Sequence, residues 1–396
     1  MNSNKRKKRK IFFLFVVITI TTIVLITETY AWFVGTSTVT TDEFTVSVNT
    51  DPGLEISLDG SNWKSGSNKL TISAPAITTG LTAYSTNTNK WPTSGLSPVS
   101  SSGELDTSSG RLKLFEKTSL SATQGGYRLI ANAIDNSTTE QDGYIVFDLF
   151  IRNGKGASYN GDNSTSAAEN IYLTKNSSAT YNGTNNGAAN SVRVGFFSIA
   201  NIKSAGASTS NIQSLSCSTS NTSTTKKICN ETTTANKAVN WNIWEPNYNS
   251  HTQALVNYYN NACKKRNTST GEYLSDACTQ ITTTTERNTY SVYHAVASSS
   301  NVDIYDGLNG YTANTTSNYS STSTSPLLSY TSYKTSPSMT YTHSNQLIKL
   351  AGNSITKVRV YIWLEGQDID NYDLIAGNQI KINFGFTKDR YGIENT

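Results

Sequence analysis

The chain has 396 residues, a formal net charge of +4 and only 15% charged residues. That length can bury a sizeable core in one large or two smaller domains, and the low charge density excludes the usual highly charged disordered chain. Lys5, Arg6, Lys7, Lys8, Arg9 and Lys10 supply six of the positive charges; without residues 1–31 the remainder holds 26 basic and 27 acidic residues, a net charge of −1. No basic face for nucleic acid is expected on the folded part.

Ser, Thr and Asn together supply about 150 residues, beside 22 Tyr and only two Met. Thr, Tyr, Val and Ile favour pleated, half-buried surfaces, whereas Asn, Ser and Gly favour turns. The composition is that of a β-rich chain with long polar loops.

Residues 5–10 form a basic block, and Ile11–Ile26 is a 16-residue apolar run. As a helix it would span about 24 Å, short of the ~30 Å hydrocarbon core of a bilayer. Thr29-Tyr30-Ala31 then places small residues three before and one before a cut between Ala31 and Trp32. Basic block, apolar run and small-residue exit describe a secretory signal recognised by signal peptidase. An uncleaved transmembrane anchor is the alternative, and in either case the remainder is expected outside the cytoplasm, secreted or at the cell surface.

The segment Thr29-Tyr30-Ala31-Trp32-Phe33, followed by Thr38, Asp42, Phe44 and Thr45-Val46, resembles the signal and mature start of SipW-dependent exported proteins. These include the TasA and camelysin-like biofilm-matrix families. The resemblance covers about 50 residues and departs from the family pattern after Phe44, where Val46-Ser47-Val48 replaces a Gly-Thr-Leu-Asp-Leu strand. It implies a matrix protein that self-assembles into fibres through its first strand, with Phe44, Val46 and Val48 as the assembly positions; the plainer alternative is that residues 44–58 pair within their own sheet.

Further along, Leu54, Ile56 and Leu58 alternate with polar residues, and Asp59-Gly60-Ser61-Asn62 is a turn. Residues 85–110 are rich in Ser, Thr, Asn, Gly and Pro and read as loop. Core strands are expected at Tyr127–Ile134, Tyr144–Arg152, Ile171–Leu173 and Ser191–Ile199, with Ile145, Phe147, Leu149 and Ile151 on one face. Residues 201–345 are looser, with a short helix expected around Ala254–Ala262 and low complexity over 312–345. Strands resume at Ile355–Leu364, with Val358, Val360, Ile362 and Leu364 on one face, and at Gln379–Phe386.

Short strands separated by Asn/Gly/Ser clusters predict an all-β chain, an antiparallel β-sandwich or jelly-roll-like fold. The expected organisation is 1–31 signal or anchor, 32–200 the first part of the sandwich, 201–345 a cysteine-containing insertion, and 346–396 the strands that complete it.

Cys217, Cys229, Cys263 and Cys278 all lie in the insertion. An even number in an exported chain predicts disulfides, most simply 217–229 and 263–278, with three connectivities open. His251, His294 and His343 are the only histidines and form no His-Glu-x-x-His motif, so they read as scattered surface residues. No Gly-x-Ser-x-Gly elbow or phosphate-binding glycine loop occurs. A hydrolase is therefore the third reading, behind a structural protein and a non-catalytic adhesin.

Asp368, Asp370, Asn371 and Asp373 offer oxygen ligands for calcium at one loop, against the plainer reading of a solvated turn. No other cofactor is implied. Trp241, Trp244 and Trp363, with the many tyrosines, either stack on surface glycans or host proteins, or pack in the core. The favoured expectation is an exported, non-catalytic structural protein of a bacterial surface or matrix.

Overall fold

The computed structural model describes residues 45–50, 53–66, 68–93, 95–106, 108–123, 126–154, 169–174, 176–182, 187–229, 241–247, 250–253, 256, 282–284, 302–306, 347–366, 370 and 379–388. The basic block, the apolar run, the cut site at Ala31 and Trp32, and Phe44 lie outside them. Among the described residues no helix is long and apolar enough to cross a membrane.

Strand β1 (Thr45–Thr50) is followed by β2 (Leu54–Ser57), whose Leu54 and Ile56 are wholly buried. The Asp59 carboxylate then accepts the backbone N–H groups of Ser61 (2.7 Å) and Asn62 (2.8 Å), closing the expected turn. Gly60 sits there at φ +74°, and a Cβ on it would meet Ile212 Cγ2 at 2.7 Å, so both backbone and space demand glycine. Strands β3 (Lys64–Ser65) and β4 (Leu70–Ile72) lead to a single helical turn, Ala74–Thr78, opened by a proline in its first turn.

Next come β5 (Pro98–Leu105), β6 (Leu112–Thr123), β7 (Gly126–Ala133) and β8 (Ile145–Asn153). Strand β5 overturns the reading of 85–110 as loop throughout. Its Ser-rich sequence has weak strand preference, and its pairing with β6 and with the end of the long C-terminal strand holds it. Then follow β9 (Glu169–Leu173), β10 (Ser178–Asn182) and β11 (Val192–Ile202). The region read as an insertion supplies β12 (Thr225–Lys227), β13 (Trp241–Trp244) and β14 (Val302–Asp306). Last are β15 (Ile348–Leu350), β16 (Ser354–Glu365) and β17 (Gln379–Lys388). Gln253 and Val256 are helical, the Val256 N–H bonding Thr252 O at 2.9 Å; the rest of the expected helix lies outside the described residues.

The chain is thus all-β and mostly antiparallel. One sheet runs β14-β7-β6-β5-β16-β8-β2-β3, with β11 on the other edge of β16 and β12 and β13 on β11. The other runs β15-β9-β17-β1-β4, with β10 also on β17. Both sheets contribute to one apolar layer. Ile145, Phe147, Leu149 and Ile151 of β8 meet Val358, Val360, Ile362 and Leu364 of β16 there, together with Ile380, Ile382, Phe384 and Phe386 of β17. The Phe196 ring of β11 stands edge-on to Phe384 and Phe386, with centroids 5.2 and 5.8 Å apart, and so joins the sheets.

Strands β8 and β16 are buried on their outer faces as well. Val146, Phe197, Tyr361 and Trp363 form a second cluster, and Phe150, Ile199 and Ile212 a third. A bulge between Ser198 and Ala200 shifts the register of β11 against β16. Ala200 and Ile202 therefore join Ile199 in that third cluster, although Val192, Val194 and Phe196, at the same alternation, face the inner layer. Burial on both faces is why Tyr361 and Trp363, which alternate with Val360 and Ile362, are also core.

Candidate functional site

Three features carry chemistry: the place that β1 occupies, a charged roof on the outer face of β8 and β16, and two compact polar clusters where strands end.

Strand β1 is an interior strand. It runs parallel to β17 from Thr45 opposite Lys381 to Thr50 opposite Phe386, and antiparallel to β4 from Val46 opposite Ile72 to Val48 opposite Leu70. The expected assembly positions Val46 and Val48 thus pair on both edges within their own chain. The first and last described strands lie side by side.

On the outer face of β8, Asp148 stands directly across from Arg359 of β16. The guanidinium grips it with two hydrogen bonds, Nε to Oδ1 at 2.8 Å and Nη2 to Oδ2 at 3.3 Å. Lys357 Nζ lies 3.1 Å from Asp148 Oδ2, and all three side chains are almost wholly shielded from water. The two cations also donate to loop carbonyls. Lys357 reaches Thr86 O (2.9 Å) and Leu215 O (3.0 Å), and Arg359 reaches Gly110 O (2.8 Å) and Ser109 O (3.2 Å). Segments 84–89, 108–111 and 215–217 therefore roof the sheet, and the buried cations donate to their carbonyls. At Gly110, with φ +67°, a Cβ would collide with Cys217 Sγ.

Burial disfavours the charged form of Asp148, but the neighbouring Arg359 and Lys357 outweigh it and hold its carboxyl below the usual range. Lys357 moves the other way, brought down to about 8, first by burial; Asp148 partly opposes this shift and Arg359 adds to it. The two directions are compatible because Arg359 takes most of the carboxylate, leaving a second cation on a single anion.

Beside this roof, Glu140 accepts Tyr361 Oη (2.6 Å), Tyr144 Oη (2.7 Å) and Asn136 Nδ2 (3.2 Å). Tyr361 Oη in turn accepts the Leu112 N–H at 3.1 Å. Burial raises the Glu140 carboxyl despite these donors, and burial with the nearby carboxylate raises both tyrosines.

The remaining clusters lie near strand ends. His251 Nδ1 is 2.6 Å from Asp370 Oδ2, both side chains almost fully buried, and Asn190 Nδ2 donates to Asp370 Oδ1 at 3.4 Å. At the ends of β8, β9 and β17, Lys388 Nζ donates to Asn153 Oδ1 at 2.6 Å and lies 2.8 Å from Glu169 Oε2. That same Glu169 oxygen accepts Asn153 Nδ2 at 2.8 Å.

The structure corrects one expectation and bears on others. His251 is buried and partnered, not a surface residue, because Asp370, 119 positions away, meets its ring. Asp370, expected among calcium ligands, has both oxygens engaged by His251 and Asn190; Asp368, Asn371 and Asp373 lie outside the described residues. No group of three His, Cys, Asp or Glu placed to hold a metal ion occurs among the described residues. Trp244 and Trp363 are wholly buried, so neither offers a ring to a glycan. Cys217 and Cys229 are bridged across 12 positions, Cα atoms 5.9 Å apart; Cys263 and Cys278 lie outside the described residues. Sequence reading missed Asp148, Glu140, Asn153, Glu169 and Lys388. The one local signal was a charge, Asp148 or Arg359, at the centre of an otherwise apolar strand.

Comparisons with protein-family models, with characterised proteins and with solved structures returned no match.

Proposed function

We propose that this chain is an exported structural protein of a bacterial cell surface or extracellular matrix, assembling through exchange of β1 between copies. The observation that carries the reading is the slot between β17 and β4, filled by a six-residue strand adjoining the predicted export segment. Such a strand can enter the same slot of another copy and make the same backbone hydrogen bonds. Exchange therefore costs little, and repeated head to tail it builds a filament. Signal peptidase acting between Ala31 and Trp32 leaves residues 32–44 as a free end ahead of β1, and residues 51–53 join β1 to β2 of its own copy. Extended, three residues span about 10 Å, so exchanging copies would pack side by side.

Export rests on the basic, apolar and small-residue order of residues 5–31. The bridged Cys217–Cys229 pair supports it, because such bonds persist outside the reducing cytoplasm. Resemblance to the SipW-dependent matrix proteins at residues 29–46 points the same way.

A staple tests the exchange. Ser47 and Thr71 are direct partners across antiparallel strands, a spacing a disulfide can bridge. The Ser47→Cys, Thr71→Cys double variant is expected to stay monomeric when oxidised, because β1 is locked at home, and to form filaments by electron microscopy once that bond is reduced. Filaments of equal length and number in the oxidised protein would remove strand exchange as the assembly route.

A further inference from the structure

The geometry points to a covalent cross-link that the chain makes within itself: an isopeptide bond between Lys388 Nζ and Asn153 Cγ, promoted by Glu169. Three residues distant in sequence supply the three roles that amide exchange requires. Lys388, the last residue of β17, brings a primary amine. Asn153, the last residue of β8, brings a carboxamide carbon. Glu169, the first residue of β9, brings a carboxylate.

Their arrangement is a closed ring. The amine touches the carboxamide oxygen at 2.6 Å, and one carboxylate oxygen, Glu169 Oε2, lies 2.8 Å from the amine and 2.8 Å from the carboxamide nitrogen. A single oxygen in contact with both the attacking and the departing nitrogen can take a proton from one and hand it to the other. The site is also dry. Asn153 is wholly buried, the Lys388 and Glu169 side chains retain 9% and 10% exposure, and the residues opposite them in register are the buried Leu54, Ile171 and Leu350. Water, the competing nucleophile, is largely excluded, and the reacting groups are held together without loss of further freedom.

The step balances without an oxidant or reductant. Glu169 accepts a proton from the Lys388 ammonium, and the free amine moves from Oδ1 onto Cγ and forms the Nζ–Cγ bond. The protonated Glu169 then gives its proton to Nδ2, the Cγ–Nδ2 bond breaks and ammonia departs. Glu169 takes the second proton from Nζ and passes it to that ammonia, which leaves as ammonium. The departing nitrogen already has an acceptor in Ala351 O, 3.2 Å away. The product joins β8 of one sheet to β17 of the other across 235 positions of chain, at the strand that forms one wall of the β1 slot. Load passed through that slot would meet a covalent bond instead of a hydrogen-bonded ladder. The inference stands on the triad alone and does not need the assembly reading.

Mass spectrometry of the folded, full exported chain tests it, with disulfides reduced and the N-terminus sequenced. The expected mass is below that of the residue sum by about 17 Da, one ammonia. Asn153 is followed by Gly154, and cyclisation of that asparagine onto its own backbone would release the same mass. The deciding observation is therefore a branched proteolytic peptide joining the segments around Asn153 and Lys388. Glu169→Gln and Lys388→Met, checked for fold by circular dichroism, are expected to yield only linear peptides. If a variant fails to fold, the wild-type peptide map still decides. Only linear peptides from folded wild-type protein would overturn the cross-link, and a branched peptide persisting in Glu169→Gln would overturn the role of Glu169.

Discussion

The two faces of β8 and β16 are equally dry and chemically opposite. Facing the second sheet, Ile145, Phe147, Leu149 and Ile151 pack on Val358, Val360, Ile362 and Leu364 in an aliphatic layer. On the outer face, Asp148, Lys357, Arg359 and Tyr361 tie loop carbonyls and a buried carboxyl to the same two strands. The inner face meets another sheet, whose backbone groups are already paired, so aliphatic side chains suffice. The outer face meets irregular chain, whose carbonyls arrive without a strand partner, and long cationic donors reach them.

The largest test of this contrast compares neighbours on opposite faces. Asp148→Ala leaves two cations buried without their carboxylate and is expected to cost roughly 3–5 kcal/mol. Leu149→Ala deletes a wholly buried aliphatic chain and is expected to cost roughly 2–5 kcal/mol. Urea unfolding of both variants measures the difference. The informative outcome is the repair. Asp148→Leu combined with Arg359→Met and Lys357→Met should recover only part of the loss, since the carbonyls of Thr86, Gly110 and Leu215 then lose their cationic donors. Full recovery would mean that the cations serve only each other, and the account of the roof would fail.

A smaller effect isolates one hydroxyl. Tyr361→Phe keeps the ring against Phe197 and Tyr144 but removes the donor to Glu140 and the acceptor of the Leu112 N–H. Two buried groups lose a partner, for an expected cost of about 1–3 kcal/mol by denaturant midpoint. A change within error would place water at those groups and make the outer face wetter than the inner one.

How much of this was legible follows the same division. The inner face of β8, β16 and β17 announces itself by alternation of aliphatic and other residues, because a period of two maps directly onto one buried side. Strand β5 was not legible: Pro98-Val99-Ser100-Ser101 has loop composition and becomes strand only through partners supplied by β6 and β16. The charged roof was half visible. Asp148 and Arg359 interrupt apolar runs, but their meeting depends on a register between strands 211 positions apart. Asn153-Gly154 has the composition of a strand end, which is right for the backbone and silent about the side chain. Neither His251 with Asp370 nor Asn153 with Glu169 and Lys388 has a local spacing from which the contact could be deduced.

The smallest expected effect concerns protons and sets two carboxyls of the outer face against each other. Asp148 has its folded pKa lowered from 3.8, so the unfolded chain binds its proton first as pH falls. Its contribution is full above that ordinary value and is lost as pH drops through the lower folded value. Glu140 has its folded pKa raised from 4.5, so the folded chain binds that proton first. Its contribution is full below about 4.5 and is lost as pH rises through the higher folded value. Acidifying from neutral pH should therefore first stabilise the protein slightly, while Glu140 takes its proton, and then destabilise it once Asp148 is reached. Asp59 and Asp106 are also lowered, the latter to about 2 chiefly by its Ser108 hydrogen bond, and they add to the acid loss. Glu140→Gln holds that site permanently neutral. Urea midpoints measured from neutral pH into acid should lose the early rise in this variant while keeping the later fall. If both proteins trace the same curve, Glu140 is ionised against its tyrosines at neutral pH at no cost, and burial is not what governs that corner of the sheet.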